Sequence, residues 1–579
     1  MQMQRQLTAA APVMVCHPVR ERPMRFLPVA ILISLAISLT SVLCRPLLPI
    51  DETRYLAVAW EMAERGDFFV SHLNGATYAH KPPLLFWLIN LVWQMTGLSD
   101  LGGRLVAPAC GLLCLPLTHR LSLRLWPDDR TTADRAVLML STCLVWMYLS
   151  PVTMFDTLLS ACALLALLGV SRTTVAGSRF GWLQAGIATG CGILAKGPVI
   201  LLFVVPVSLL AGWWSRTPGT GRTSVTGSLL LLAVAAVIGL GWAIPSALLG
   251  GNEYARELLF GQTAGRMVDS FAHQEPFWWY LPLVPLCLLP WLLLPQLWRG
   301  LRKSAADSGT RFVLTWTLGA LIPLCLVSGK QLHYLMPLIP GLILLCARAT
   351  SQTQEPTQCR DLLLLVPATI LMASFPLWAS LIPPLRPYRI DTLVSAPACL
   401  LMMSTSLLVV LAFQKRCLTI GICGIAIATA LFQITLLLSL RSTFWEGFDQ
   451  QPLAQHINTL NTPVAWFGNY HGQLNFVGRT LQIEEVADDK ALESWLQDHP
   501  NGQLICRLRL THGSNSPLVP PLIRSDRSGP VAADQQQLLE LLRRSDLLPR
   551  ASSLAEVSFV QWIRTGLHER PLVVVRYAS

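Results

Sequence analysis

Charged side chains are scarce in this chain. Asp, Glu, Lys and Arg make up only 13% of its 579 residues, whereas a soluble domain carries about 25%. Hydrophobic residues make up 53%, and about a dozen apolar stretches between residues 26 and 440 are each long enough to cross, or nearly cross, a bilayer. The composition therefore excludes a soluble protein and predicts a polytopic α-helical membrane protein.

Other absences narrow the class further. The 15 cysteines form no CxxC pair, so neither a structural zinc site nor a redox motif is supported. The net charge of +11 is not gathered into a basic patch with interleaved aromatic residues, which argues against a nucleic-acid partner. Instead, arginines flank the apolar stretches, as the cytoplasmic bias of Lys and Arg in membrane proteins predicts.

The arginine pattern gives the chain an orientation. Residues 26–48 follow three arginines and are longer than the core of a typical signal peptide, which predicts an uncleaved first helix and a cytoplasmic tail at residues 1–25. Residues 83–97 are too short to span and begin at Pro-Pro, so we expect an interfacial or re-entrant helix there. The chain then crosses the membrane about thirteen times, and its inner links carry roughly twice the Lys and Arg of its outer links.

The composition also divides the chain into parts. The predicted transmembrane region covers residues 26–441, and its first outer loop covers residues 49–104. After Arg441 the sequence becomes mixed and polar. Alternating apolar runs at residues 464–467, 504–508 and 571–577 predict strands, and residues 533–544 predict a helix. Residues 442–579 are therefore expected to form a small soluble α/β domain on the outer, periplasmic side.

The first outer loop holds the densest group of residues with chemical potential. Asp51 directly follows a predicted membrane exit and precedes an amphipathic segment. It could cap that helix, act in catalysis, or do both. Lys81 precedes two prolines, which fix the backbone. It could anchor the loop at the level of the lipid headgroups or contact a phosphate.

Further ionisable residues fall in other predicted outer links. Asp156 lies between two apolar helices, where a carboxylate is costly and usually functional, although it could also cap the following helix. Lys196 precedes Gly-Pro at a predicted helix break, and Lys330 lies three residues before His333 in another short link. Because all of these residues fall on one face, we expect a shared outward-facing cavity for an anionic amphiphile.

Two histidines raise the question of a metal. His80 and His273 both lie in predicted outer loops, and together with Asp or Glu they could hold a divalent ion. Their spacing does not identify a known metal motif. A divalent metal cofactor is therefore an open alternative at this stage.

Several short motifs, taken together, resemble those of the ArnT-like branch of the lipid-linked glycosyltransferases, which have the GT-C fold and are related to the protein O-mannosyltransferases. The motifs are Asp51-Glu-x-Arg-Tyr, Asn74-Gly, Lys81-Pro-Pro-Leu, Asp156 before an apolar helix, Lys196-Gly-Pro, Pro276-Phe-Trp-Trp-Tyr-Leu-Pro and Lys330-x-x-His-Tyr. The resemblance covers residues 26–348 and extends weakly to residues 466–479.

The resemblance implies an enzyme that uses an undecaprenyl-phosphate sugar donor at the periplasmic face of the bacterial inner membrane. In the ArnT branch, the sugar is 4-amino-4-deoxy-L-arabinose and the acceptor is a phosphate of lipid A. The expected catalytic residues are Asp51 and Asp156. The expected substrate-binding residues are Arg54, Tyr55, Tyr78, Lys81, Lys196, Lys330 and Tyr334. His80 occupies a position that is often acidic in the family.

The sequence leaves two other functions open. One is a related polyprenyl-phosphate-sugar transferase that acts on protein Ser/Thr or on another glycan, but mannosyltransferases more often have histidine where this chain has Lys81. The other is a transporter, which would usually show two related halves with ionisable residues near the midplane. Here the ionisable residues gather at one outer face, so a transferase is favoured.

Overall fold

The computed structural model of the protein is mostly helical. It describes residues 26–176, 179–215, 220–259, 274–304, 307–353, 359–383, 390–414, 417–507, 528–530, 539, 542–543, 548, 554–565 and 568–577. The α-helices are Leu27–Cys44, Asp51–Arg65, Leu84–Thr96, Asp100–Arg104, Val106–Leu125, Arg130–Thr142, Leu144–Leu149, Phe155–Ala176, Arg179–Lys196, Leu201–Leu209, Ala211–Trp214, Thr220–Arg256, Tyr280–Cys287, Pro295–Ser304, Ser308–Leu326, Ile339–Ser351, Leu365–Trp378, Ala396–Phe413, Leu418–Ser439, Gln451–Thr459, Asn475–Gly478 and Asp489–Asp498.

Nine helical segments among the described residues are long and apolar enough to cross a membrane. This confirms a multi-pass helical membrane protein. The count is lower than the predicted thirteen because several apolar segments are interrupted. Cys143, for example, has extended backbone and separates Arg130–Thr142 from Leu144–Leu149. The segment predicted not to span forms the short apolar helix Leu84–Thr96.

Small residues let neighbouring helices approach closely and show their relative directions. Gly186 and Gly190 on one helix lie against Val234 and Ile238 on another. The residue numbers rise in the same direction along both helices, so Arg179–Lys196 and Thr220–Arg256 run parallel. The chain must therefore return between them. It does so after Gly197, whose φ of +77° places it in the left-handed region that glycine enters without steric cost.

One end of the helix bundle is held by a polar cluster. The guanidinium of Arg348 lies 2.5 Å from a carboxylate oxygen of Asp129 and 2.9 Å from one of Asp307. Arg135 donates to the carbonyl of Thr350 and to the hydroxyl of Thr419. These bonds join helices that are distant in sequence. They lie at the end opposite to the ionisable residues of the predicted outer links.

The C-terminal part contains a six-stranded sheet with the order β4-β3-β5-β8-β7-β6. The strands are β3 (Val464–Phe467), β4 (Glu484–Val486), β5 (Gln503–Arg507), β6 (Ser528–Pro530), β7 (Leu554–Thr565) and β8 (His568–Tyr577). Strand β3 pairs in parallel with β4 and β5, and the remaining pairs are antiparallel. The predicted helix at residues 533–544 lies outside the described residues except at positions 539 and 542–543.

A small hairpin connects the first loop to the C-terminal part. Strands β1 (His72–Leu73) and β2 (Ala76–Thr77) pair across Asn74 and Gly75, both with positive φ, as in a two-residue hairpin turn. The Asn74 side chain donates to the carbonyl of Ile483 and accepts from its N–H, at 2.9 and 2.8 Å. Nearby, Trp93 stacks on Phe476 with ring centroids 5.4 Å apart.

Candidate active site

The first ion pair of the site lies at the start of the helix Asp51–Arg65. The Arg54 guanidinium donates to the Asp51 carboxylate at 2.5 Å. Burial by itself raises the pKa of Asp51, but the charge and hydrogen bond of Arg54, with smaller effects from Tyr55 and Lys81, hold that pKa below its ordinary value of 3.8. Asp51 is therefore a carboxylate at neutral pH. Burial raises the pKa of Tyr55 well above its ordinary value, so its phenol is neutral.

The end of the first loop brings two more predicted residues to this pair. The N–H of Tyr78 donates to the carbonyl of Ser71 at 2.7 Å, which closes the hairpin loop, and Tyr78 interacts electrostatically with Arg54. The Lys81 ammonium lies 5.7 Å from the ring centroid of Phe155. Its charge also acts on Asp51. The loop thus delivers a phenol and a cation to the same place.

A second ion pair joins two helices. Asp156, in the first turn of Phe155–Ala176, accepts from the Lys196 ammonium at 2.6 Å. Their side chains are only 4% and 12% exposed, so this is a buried pair. The Lys196 ammonium also lies 4.6 Å from the ring centroid of Tyr334. The pair forms because antiparallel helices bring the start of one beside the end of the other.

His333 shows that the two ion pairs lie near each other. It interacts electrostatically with four of the predicted charged residues, namely Asp51, Lys81, Asp156 and Lys196. Sequence reasoning placed His333 on the outer face but gave it no role. The available signal was its position beside Tyr334 in the Lys330-x-x-His-Tyr motif.

Phe155 packs the helix that carries Asp156 against the first-loop helix. Its ring packs edge-on against Tyr55 at 4.9 Å and against Phe86 at 5.5 Å. All three rings are buried. Sequence reasoning named Tyr55 as a substrate-binding residue but missed Phe86 and Phe155, which lie in or beside apolar runs, where an aromatic residue usually signals ordinary core packing.

Lys330 has a different environment from the other predicted cations. Its ammonium donates to the carbonyl oxygens of Glu275 and Val327, at 2.8 and 2.5 Å. The adjacent Gly329 forms an isolated β-bridge with Gln274. These contacts tie two links together, and the expected substrate-binding role of Lys330 stays a prediction.

Glu52 is a second residue that sequence reasoning did not assign. Its carboxylate accepts from Arg45 at 3.2 Å, from the N–H of Leu48 at 3.0 Å and from the N–H of Thr153 at 2.7 Å. Burial raises its pKa, but Arg45 and Arg104 together with the two N–H donors lower the pKa below the ordinary value. Glu52 therefore holds the helix that carries Asp51 against the loop before Asp156.

The proposed metal ligands are not assembled in the described part of the chain. The imidazole Nε2 of His80 lies 3.6 Å from a carboxylate oxygen of Glu257. His273 lies outside the described residues. Within them, no group of three or more His, Cys, Asp or Glu side chains is arranged to hold a metal ion. The described residues therefore form no metal site, and a site that combines His80 with His273 stays a prediction.

The sequence of this chain is similar to two classes of relative. Residues 80–242 match the family described as dolichyl-phosphate-mannose-protein mannosyltransferase. An undecaprenyl phosphate-alpha-4-amino-4-deoxy-L-arabinose arabinosyl transferase from Erwinia tasmaniensis is 30% identical over 51% of this chain and 54% of its own length. The protein of the same name from Pseudomonas aeruginosa is 32% identical over 52% and 55%. The alignments thus span about half the length of each relative.

The structural comparison covers almost the whole chain. The crystal structure of ArnT from Cupriavidus metallidurans bound to undecaprenyl phosphate superposes with a TM-score of 0.70 and 18% identity, over 95% of this chain and 98% of that one. Its apo form superposes with a TM-score of 0.69. The chain therefore has the fold of ArnT, and the resemblance to the ArnT-like lipid-linked glycosyltransferases that its motifs predict is confirmed.

Proposed function

We propose that this chain is an inverting glycosyltransferase that moves 4-amino-4-deoxy-L-arabinose from undecaprenyl phosphate to a phosphate of lipid A. The observation that carries the proposal is that Asp51, Lys81, Asp156 and Lys196 all act electrostatically on His333, and that Arg54 is paired with Asp51. Cations beside carboxylates suit a reaction in which a phosphate departs and the sugar becomes positive. The names of the related transferases supply the sugar and the donor lipid.

We also infer thirteen membrane crossings. One of the nine long segments includes the reversal after Gly197, which adds a return crossing at residues 201–214. Three interrupted apolar segments, at residues 130–149, 280–304 and 365–381, add the others. An odd number puts residues 442–579, as a separate domain, on the face opposite to the tail at residues 1–25. The arginine bias assigns that outer face to the periplasm of a bacterial inner membrane, and the ion pairs of the site lie there.

The cations stabilise the leaving phosphate. In the resting state, Arg54 is paired with Asp51 and Lys196 with Asp156, so each cation is held in place before substrate arrives. A phosphate oxygen entering between them exchanges a carboxylate partner for a charge-assisted bond of similar strength. Lys81, over the Phe155 ring, adds a third positive charge. Fixed charges of this kind stabilise the transition state without reorganisation.

Asp51 acts on the sugar and the acceptor. Its lowered pKa makes it a weak base, and an ionised acceptor phosphate needs little proton removal. Its negative charge therefore serves to orient the acceptor and to stabilise the oxocarbenium-like sugar. The acceptor oxygen attacks the anomeric carbon as the bond to the donor phosphate breaks, which inverts the configuration in a single displacement.

The deciding experiment compares lipid A from cells that carry the wild-type chain, Asp51→Asn or Lys81→Ala. We expect both variants to insert normally and to lower sugar transfer at least about 100-fold. Lipid A mass spectrometry and survival in polymyxin report the result.

Asp67→Asn is the matched control, because Asp67 caps a local turn through the N–H groups of Phe69 and Val70 and an amide oxygen can replace it. Unmodified lipid A in the wild-type strain would contradict the proposal that lipid A is the acceptor. Glycosylated proteins in that strain, lost in Asp51→Asn, would instead identify a protein acceptor.

A further inference from the structure

A cavity of about 750 Å³ lies apart from the candidate active site. It is bordered by the outer ends of Leu27–Cys44 and Leu418–Ser439, and by Phe476 of the C-terminal part. Thr53 also borders it, but Asp51 and Arg54 do not. The cavity is therefore built on a different side of the first-loop helix from the ion pairs, and none of the residues proposed for the reaction lines it.

The mouth of this cavity opens towards lipid. Leu43 and Leu438, on its border, are 63% and 55% exposed. Both lie near the outer ends of helices that are long and apolar enough to cross a membrane. Exposed leucines at that depth contact acyl chains. The polar residues of the cavity begin immediately beyond them, at the level where lipid headgroups lie.

Two arginines can supply positive charge inside the cavity. Arg441 is exposed, and it has no hydrogen-bond or ion-pair partner for its side chain within the part of the chain that the structure describes. Arg479 lies with its guanidinium 4.0 Å from the ring centroid of Phe476 and donates to the carbonyl of that residue. A third arginine, Arg45, is already paired with the buried Glu52. Guanidinium groups are well suited to bind phosphate.

Three carboxyl groups border the same cavity. That of Asp100 is paired with Arg104, and the other two belong to Glu446 and Asp449. Burial, followed by the nearby charge of Glu446, raises the pKa of Asp449, because both raise the cost of its negative charge. A cation placed beside the two carboxyl groups would relieve that repulsion. The cavity therefore offers separate positions for a negative and a positive group of one ligand.

We propose that this cavity binds the head of an amphiphile that carries both a phosphate and a primary amine. The phosphate contacts Arg441 and Arg479, the amine contacts Glu446 and Asp449, and the acyl chain lies along the exposed leucines. An aminophospholipid of the outer leaflet has this chemistry. The amino-sugar donor lipid has it too, and that second source rests on the proposed function.

The test is native mass spectrometry of the purified full-length chain with phosphatidylethanolamine or phosphatidylglycerol at equal concentrations. We expect phosphatidylethanolamine to bind about tenfold more tightly, since only this lipid carries an amine for the carboxyl groups. Arg441→Ala should weaken both lipids about tenfold. Asp449→Asn should weaken only phosphatidylethanolamine. Lys490→Ala removes an exposed cation away from the cavity and should change neither.

Equal binding of the two lipids, or unchanged binding by Arg441→Ala with both lipids, would overturn the proposal. So would an equal loss in Lys490→Ala. A competition experiment with the wild-type chain then separates the two possible ligands. If undecaprenyl phosphate that carries the amino sugar displaces phosphatidylethanolamine, the ligand is the donor lipid. If phosphatidylethanolamine stays bound, the ligand is the membrane lipid. Binding is read without sugar transfer, so the proposal and the proposed function can fail independently.

Discussion

Asp51 keeps its negative charge because Arg54 lies beside it. The folded-state pKa of Asp51 is lowered, so its carboxylate persists above that pKa and is lost only as the pH falls through it. Transfer by the wild-type chain should therefore show no acidic limb from Asp51 between pH 7 and pH 5. In Arg54→Gln, burial raises the pKa with no guanidinium to offset it, and activity should begin to fall at a higher pH.

The measurement is the pH dependence of transfer with a purified donor and acceptor. Arg54 is also a proposed phosphate contact, so the shape of the profile is compared and the absolute rate is not. Arg65→Gln is the matched control, because Arg65 pairs with Glu61 on the same helix. If the activity of Arg54→Gln began to fall at the same pH as that of the wild-type chain, the electrostatic role of this pair would be contradicted.

The buried pair of Asp156 and Lys196 allows stability to be separated from activity. Lys196→Met leaves a carboxylate that is 4% exposed without its cation, which should cost about 3–5 kcal/mol of unfolding free energy. The double variant Asp156→Asn/Lys196→Met removes both charges and should regain most of that stability. Its transfer activity should stay low, because the cation that we propose to stabilise the leaving phosphate is missing.

Thermal unfolding in detergent and transfer rates, measured on the two single variants and the double variant, check this prediction. If the double variant recovered activity together with stability, the pair would have a structural role only.

Individual residues show how far the sequence could predict the site. Asp51 and Lys81 could be found because a charge at a membrane exit, or before Pro-Pro, departs from the apolar pattern. The role of Glu52 could not, since adjacent residues on a helix point in different directions and only the fold shows which one meets Arg45. The environment of Lys330 could not be predicted either. One of its two carbonyl partners belongs to Glu275, which lies more than 50 residues away in the sequence.

At the scale of elements, the reversal after Lys196 depends on one backbone conformation. Gly197 has a φ of +77°, and an added Cβ would meet no atom within 4 Å. Gly197→Ala should therefore cost about 1–2 kcal/mol of unfolding free energy through backbone strain alone. It should also lower the transfer rate, because Gly197 directly follows Lys196 and a strained backbone there would shift the Lys196 side chain.

Gly241→Ala is the matched control, since Gly241 also has open space around it but lies within the helix Thr220–Arg256 without a positive φ. There, alanine should stabilise the helix by up to about 1 kcal/mol. Thermal unfolding of the two variants in the same detergent gives the comparison. Equal shifts in both would show that the left-handed backbone at residue 197 is not required.

The sequence predicted most apolar elements but not their interruptions. Residues 83–97 were expected not to span, and they form a short helix whose Trp93 stacks on the C-terminal part. The break at Cys143 had no signal in composition, because the residues on both sides are apolar. It follows from packing: the N–H of Leu144 donates to the carbonyl of Leu289, which lies in a distant segment.

At the scale of the whole molecule, the outer sheet region and the membrane part meet at the hairpin that precedes the site. An Asn-Gly pair is typical of a two-residue hairpin turn, but nothing in the sequence indicates what the turn binds, since the hydrogen bonds of Asn74 reach residues more than 400 positions away. This docking fixes one end of the loop whose other end carries Tyr78 and Lys81. The C-terminal part thus acts on the site through the position of that loop.

Asn74→Ala tests this long-range role. It removes two bonds to the backbone of Ile483 and one from the side chain of Asn475, so the loop should lose about 1–3 kcal/mol of local stability. We expect faster hydrogen exchange at residues 70–82 and a transfer rate lowered about tenfold, with insertion unchanged. Ser558→Ala, which removes a bond to Gln503 inside the sheet, should leave both unchanged. Faster exchange with full activity would show that Lys81 reaches its position without help from the C-terminal part.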